Sequence, residues 1–296
     1  MSDILIISLI IGLLYSFFTI GLTISFRILN YPDLTIDGSL ILGGASFYFF
    51  NSLGIGLYIS LFFSLLLGFV AGFFTSFLNT HFNINKLITG IITSALLYSI
   101  NIRLLGGLSN VRFTNSNLLL NNSNDLTTII TLIAIISILL IVLILLFHSK
   151  LGYYFRIIGD NPFFLESLGK NKKIIQNIGI GISNAIIALG GAILVQYKGV
   201  CDVNYSTGIL ISSLAAILLG DMFLNAKNIN EVFISNILGT IFYSFVIALI
   251  MFNWSDTWQN YILGTDIRFF SGLLLLIPLI ITSRNKKKFK FFKSDW

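Results

Sequence analysis

The chain has 296 residues, of which 56% are hydrophobic and 10% charged, with a net charge of +6 and a mean hydropathy of +0.92. Soluble domains carry about 25% charged residues, so the composition excludes a soluble globular protein and indicates an integral membrane protein. A hydrocarbon core of about 30 Å takes roughly 20 apolar residues per helix, which allows about eight to ten spans and no sizeable soluble domain. Long unbroken apolar runs indicate helices, because barrel strands would alternate in segments of about ten.

The first span is expected from about Asp3 to Phe26. Its start, MSDILIISLI, lacks the basic region of a signal peptide and reads as a retained helix. After Arg27, Asn30-Tyr31-Pro32-Asp33 breaks the helix, since proline cannot continue it and biases Tyr31 toward extended geometry. A second helix, from near Leu34 to about Phe50, is short for a span and carries Gly38, Gly43 and Gly44. Asp33 and Asp37 are four apart and share a face if the helix begins this early. A carboxylate at the membrane is costly unless capped, paired or wet. Asp33 as a helix cap with Asp37 in the first turn is one reading, and both lining a substrate path is the other; the two are compatible. Broken, glycine-rich helices are tolerated at membrane depth where they line a cavity, which favours placing the path here.

The third span, about Ile55 to Phe77, carries Gly68 and Gly72, a pair that permits close helix packing. A turn from Asn79 to Lys86 leads to a fourth span ending near Leu105, with Tyr98, Asn101 and Arg103 toward its far end. Gly106 to Asp125, rich in asparagine and serine, shows no packing pattern and reads as an external loop. The fifth span, about Leu126 to Phe147, is a continuous Ile/Leu run expected to face lipid.

Lys150 to Lys173 is the one long polar island between apolar segments, with Lys150, Arg156, Lys170, Lys172 and Lys173 against Asp160 and Glu166. The positive-inside rule places it in the cytoplasm. Asn161 can cap a short helix, Pro162 suits its first position and Gly169 stops it. Such a helix is either a docking knob or an amphipathic segment lying on the headgroups with Phe163, Phe164 and Leu168 buried there.

The sixth span, about Ile174 to Gln196, holds Gly179, Gly181, Gly190 and Gly191 and is expected to be packed and buried, with Ser183 and Asn184 polar at mid-depth and able to bridge helices. Tyr197 to Tyr205, with Asp202, breaks the chain again. A seventh span covers about Thr207 to Leu224, ending near Asp221; an eighth covers about Val232 to Phe252. Asn253 to Tyr261, with Trp254 and Trp258, reads as an interfacial aromatic loop before a ninth span, about Leu263 to Thr282. The tail (284–296) carries Arg284, Lys286, Lys287, Lys288, Lys290 and Lys293 among phenylalanines, which suits an anionic lipid surface and topology anchoring rather than nucleic acid.

Alternation puts the tail on the same side as the polar island and the N-terminus outside, unless the second helix is re-entrant. Arg27, Lys86 and Lys227 fall on the inner side with the island and the tail, whereas Arg103, Arg112, Lys198 and Arg268 fall outside. The break and helix at Tyr31–Ala45 faintly echoes Tyr197–Leu214, with the short helices running in opposite directions as an inverted repeat requires. The sequence carries no P-loop, no G-x-S-x-G and no H-E-x-x-H. His81, His148 and the lone Cys201 form no cluster with metal-ligand spacing. No catalytic, metal or cofactor residues are expected.

Three blocks resemble a known family. Arg156–Asn171 (RIIGDNPFFLESLGKN) with Ile182–Gly199 (ISNAIIALGGAILVQYKG), Phe26–Ala45 (FRILNYPDLTIDGSLILGGA) and Ile88–Gly106 resemble, in family order, permease subunits of bacterial ABC importers. The resemblance is to the branched-chain amino acid permease superfamily, closest to its tryptophan/tyrosine-type members. It implies an all-α polytopic membrane protein of about nine transmembrane helices, with a transmembrane permease domain (1–283), a broken second helix and a cytoplasmic coupling helix. Asp160, Asn161, Pro162, Glu166 and Gly169 would then dock an ABC ATPase subunit. An extracytoplasmic solute-binding protein would deliver solute, and a second permease copy or paralogue would complete the pathway in a bacterial inner membrane. The candidate path residues are Tyr31, Asp33, Asp37, Gly38, Asn184 and Asp202. The solute would be small and polar, an amino acid or related compound. The asparagine-rich loop and phenylalanine-rich tail depart from the family. An ATP-independent secondary transporter or channel is the alternative, which would make Asp33, Asp37 or Asp221 essential; a membrane enzyme is a distant third, with no nucleophile or metal constellation in sight.

Overall fold

A computed structural model describes residues 2–113, 118–120, 125–224, 226, 228–258 and 267–284. The helices are α1 (Ser2–Leu22), α2 (Ile36–Ser52), α3 (Leu57–Phe82), α4 (Lys86–Leu104), α5 (Asp125–His148), α6 (Lys150–Asp160), α7 (Pro162–Ser167), α8 (Lys172–Lys198), α9 (Ile209–Leu224), α10 (Ile229–Trp258) and α11 (Ile267–Arg284). Among the described residues seven helices are long and apolar enough to cross a membrane: α1 with its continuation to Ile28, α3, α4, α5, α8, α9 with the turn before it, and α10. The described residues thus give seven such helices against the about nine expected. Helix α2, expected to be short, has 17 residues, and within the described part of α11 the apolar stretch is Phe269–Ile280.

Helix α8 is the hub. Its apolar window is 83% buried, against 17% for α5, which leaves α5 as the outermost helix of the seven. The glycine pattern explains this. A side chain at Gly43 of α2 would strike the backbone of Ala188, and one at Gly68 or Gly72 of α3 would strike the carbonyls of Asn184 or Ile180. Gly191 of α8 rests on the Leu40 carbonyl in the same way. Small residues let backbones approach where no hydrophobic force separates helix from lipid. Helices α1 and α10 run antiparallel, tied at one end by Asn236 donating to Thr23 (2.8 Å) and toward the other by Ser244 donating to the Ser8 carbonyl (2.6 Å).

The bundle has two distinct ends. One carries α6 and α7. The other carries a short antiparallel pairing of β1 (Asn110–Arg112) with β2 (Val200–Asp202), in the register Val111 to Cys201. This pairing corrects the reading of residues 106–125 as a loop without packing. The Leu119 N–H also donates to Gln196 Oε1 (3.1 Å), Leu120 is buried, and Phe113 packs on Phe47 and Tyr48. Two three-residue strands that meet across about ninety residues carry too little local pattern to be seen in sequence. The expected aromatic loop from Asn253 is likewise corrected as far as Trp258, which remains helical in α10. The Trp254 and Trp258 side chains, Lys227, and the tail from 285 onward lie outside the described residues.

Candidate functional site

The break after α1 organises the site. Helix α1 does not stop at Leu22 but widens into a π-helical turn, Thr23–Ile28, a geometry frequent at functional sites. Asn30 takes a left-handed φ of +49°, and the chain then runs without regular structure through Tyr31–Thr35 into α2 at Ile36. This stretch is pinned step by step. Lys86 Nζ donates to the Asn30 carbonyl (3.0 Å), and the buried Tyr31 hydroxyl pairs with Thr89 Oγ1 (3.0 Å). Asp33 follows, fully buried: Oδ1 accepts from the Thr35 N–H (2.8 Å) and Oδ2 from Asn184 Nδ2 (2.6 Å). Asn184 lies about 18 Å along α8 from Lys172, at the helical rise of 1.5 Å per residue. The chain therefore re-enters from the α7 end to mid-depth before α2 begins.

This geometry corrects one local expectation. Asp33 does not cap α2; the cap position belongs to Thr35, whose side chain makes no capping bond, so Asp33 and Asp37 do not share a helix face. Asp33 holds the turn instead, and Thr35 Oγ1 pairs with Thr75 Oγ1 of α3 (2.9 Å). Asp37 does sit in the first turn of α2. Its carboxylate lies near the Leu210 N–H at the start of α9, and its Oδ1 is buried without a hydrogen-bond partner. Gly38 brings α2 close to α4: an added side chain would meet Leu97, and its carbonyl accepts from Asn101 Nδ2 (3.1 Å).

Beside Asp37 lies a cavity of about 710 Å³. Leu34 and Asp37 line it from the approach to α2; Ile91, Ser94, Ala95 and Tyr98 line it from α4; Gly208, Leu210 and Ile211 line it from the start of α9. The starts of the two short helices thus meet at one cavity. The size suits a small solute. Of the path residues expected from sequence, Asp37 lines this cavity and Gly38 packs beside its Ser94, whereas Tyr31, Asp33 and Asn184 are buried and are not among its lining residues. Asp202 lies apart at the strand end, where it accepts from Asn110 Nδ2 (3.2 Å) and from the Asn204 N–H (2.8 Å).

The residues expected to dock a partner lie together at the opposite end. Asn161 closes α6 and opens α7: its N–H donates to the Ile157 carbonyl (2.8 Å) and its side chain accepts from the Phe163 N–H (3.2 Å), with Pro162 in the first turn. Gly169 adopts φ +69°, its N–H bonds to the Glu166 carbonyl, and Lys170 N–H reaches the Leu165 carbonyl, a Schellman stop. Leu165 is buried, whereas Phe163 is 74% exposed and Phe164 and Leu168 are exposed beside it. Lys172 approaches Glu166 at 3.8 Å. The unit has a firm footing, because Gly159 of α6 rests directly on the Ile28 carbonyl at the end of the π-turn.

An unanticipated ion pair lies nearby. Arg27 Nη1 of the π-turn meets Asp221 Oδ1 near the end of α9 at 2.7 Å, both largely buried. Residues 4–282 match the family described as branched-chain amino acid transport system, permease component. The chain belongs to that family. It is similar to a tyrosine transport system permease protein of Clostridioides difficile, 31% identical over 93% of this chain and 90% of that one. It is also similar to an uncharacterized protein of Rickettsia prowazekii, 30% identical over 90% and 92% of the two chains. No solved structure matches.

Among the described residues no group of three His, Cys, Asp or Glu could hold a metal ion. The cavity-lining residues of α4 were missed, although Ile91, Ser94, Ala95 and Tyr98 stand at i, i+3, i+4 and i+7 and so share a face. That spacing was the available signal. Nothing in the sequence marked Leu210 or the pairing of Arg27 with Asp221.

Proposed function

We propose that this chain is the permease subunit of an ATP-binding-cassette importer of an inner membrane, moving an amino acid or related small polar solute through the cavity beside Asp37. The similarity to a tyrosine permease favours an aromatic amino acid. A separate ATPase docks on Asp160, Asn161, Pro162, Glu166 and Gly169, so the α7 end faces the cytoplasm with the C-terminus. An extracytoplasmic solute-binding protein meets the strand end, and a second permease copy or paralogue completes the pathway. The chain crosses nine times, with α2 and its irregular approach serving together as one crossing.

The observation that carries this reading is the seat of α6 on Ile28. A push on α7 reaches the π-turn directly. From there it passes along the pinned segment Asn30–Thr35 to Asp37, and through Arg27 and Asp221 to α9. Both short helices that meet at the cavity are thereby levered from one point, as a two-state alternating-access movement requires.

The test is affinity purification of the tagged chain from native membranes, with and without Gly169→Asp. The substitution places a charge and a side chain at a left-handed position that closes α7. Capture of an ATPase by the wild type and its loss in the variant is the expected result. A wild-type chain that comes down alone, with uptake persisting without ATP, overturns docking at α7 and favours the ATP-independent transporter.

A further inference from the structure

We propose that Asp37 is the selectivity residue of the cavity and admits solutes that carry a protonated amine next to an apolar body, while rejecting anions. This deepens the reading of the cavity as the solute path and rests on it. Among the described residues that line the cavity Asp37 is the one charged side chain; the other described walls are aliphatic (Leu34, Leu210 and Ile211 among them) apart from the hydroxyls of Ser94 and Tyr98. A residue of the first helical turn is ordinarily explained by the helix dipole and a backbone partner. That accounts for only part of Asp37. Its carboxylate lies near the Leu210 N–H, yet Oδ1 is buried with no hydrogen-bond partner.

A buried carboxylate oxygen left unpaired is costly, and the cost is relieved by a ligand that brings a charged donor. An ammonium group supplies that donor. A solute whose only charge is a carboxylate or phosphate, with no ammonium beside it, would meet Asp37 as a like charge. A divalent metal would find a single carboxylate and two hydroxyls, too few oxygen ligands for a hard cation. The phenolic ring of Tyr98 and the aliphatic wall suit an aromatic or branched body beside the amine.

The experiment measures binding of three probes of one shape to the full chain in lipid nanodiscs: 2-phenylethylamine, neutral 2-phenylethanol and anionic 3-phenylpropionate. The wild type is expected to bind the amine at least about tenfold more tightly than the alcohol, and the anion not measurably, since desolvated charge pairing sets the difference. Asp37→Asn is expected to abolish the preference for the amine and Asp37→Glu to retain it, each eluting as the wild type does in size exclusion. If Asp37→Asn does not fold, the three probes on the wild type decide. Equal binding of amine and alcohol, binding of the anion, no binding of any probe, or an Asn variant that keeps the preference each overturns the proposal. The assay contains no ATPase, so losing amine selectivity leaves docking at α7 standing, and failure to capture an ATPase leaves amine selectivity standing.

Discussion

At the scale of single residues, the chain spends its few buried polar groups on holding backbone in place. Asn184 gives its amide to Asp33 Oδ2 at 2.6 Å and to the Ile180 carbonyl at 3.1 Å, in the most buried helix of the bundle. Asn184→Ala is expected to lower stability by about 1–3 kcal/mol, because a buried carboxylate oxygen loses its donor. Thermal unfolding in detergent checks this, and a variant that melts with the wild type would show that Asp33 finds another partner. Cys201 makes a pH prediction. It lies in β2 between spans, fully buried, and burial, with a smaller contribution from nearby Asp202, pushes its thiol up from an ordinary value of 9.0 to about 12. A folded-state pKa raised above the unfolded one contributes stability that is complete below the unfolded value and is lost as pH rises through the folded one. The strand end is therefore expected to weaken between about pH 9 and 12. At pH 8 the native thiol should resist maleimide and react only on unfolding, as mass spectrometry would report.

At the scale of elements, the glycines of the α8 contacts were legible in sequence, and what each one touches was not. The GFVAG spacing predicted close packing, and Gly68 and Gly72 do seat α3 against α8. Gly43→Ala drives a methyl group into the Ala188 backbone, and overpacking of this kind costs about 1–3 kcal/mol. A melting temperature unchanged from wild type would mean that α2 can slide. The short helix α7 was readable in full, since Asn161, Pro162 and Gly169 are local signals for a cap, a first turn and a stop. The irregular stretch before α2 was only half readable. Pro32 announced a break, but the depth at which α2 restarts depends on Asn184, Thr89 and Asn101 in helices far along the chain.

At the scale of the whole molecule, the Arg27–Asp221 pair joins the end of the first helix to the end of the ninth. Arg27→Ala strands a buried carboxylate and is expected to cost about 3–5 kcal/mol. Exchange of the two charges in a double variant should recover part of the loss, and a double-mutant cycle on thermal stability measures the coupling. Orientation gives a second prediction. Ser109 beside the strands and Ser167 on α7 are both exposed, at opposite ends of the bundle. In intact cells an impermeant maleimide should label Ser109→Cys and spare Ser167→Cys, with buried Cys201 giving no background. The reverse pattern would invert the proposed orientation.

The sequence by itself determined the membrane class, the helical architecture, the permease resemblance and the caps of α7. The resemblance rests on blocks of sequence read in order, and the other three rest on composition or on residues within a turn or two of one another, where hydropathy and backbone geometry act locally. The tertiary structure alone decided that Asp33 holds a turn rather than a cap, that Asp37 shares a cavity with the face of α4 and the start of α9, that residues 110–112 pair with 200–202, and that Arg27 meets Asp221. Those are contacts between segments far apart in the chain. Their partners are chosen by how the helices pack around α8, and no local pattern encodes that choice.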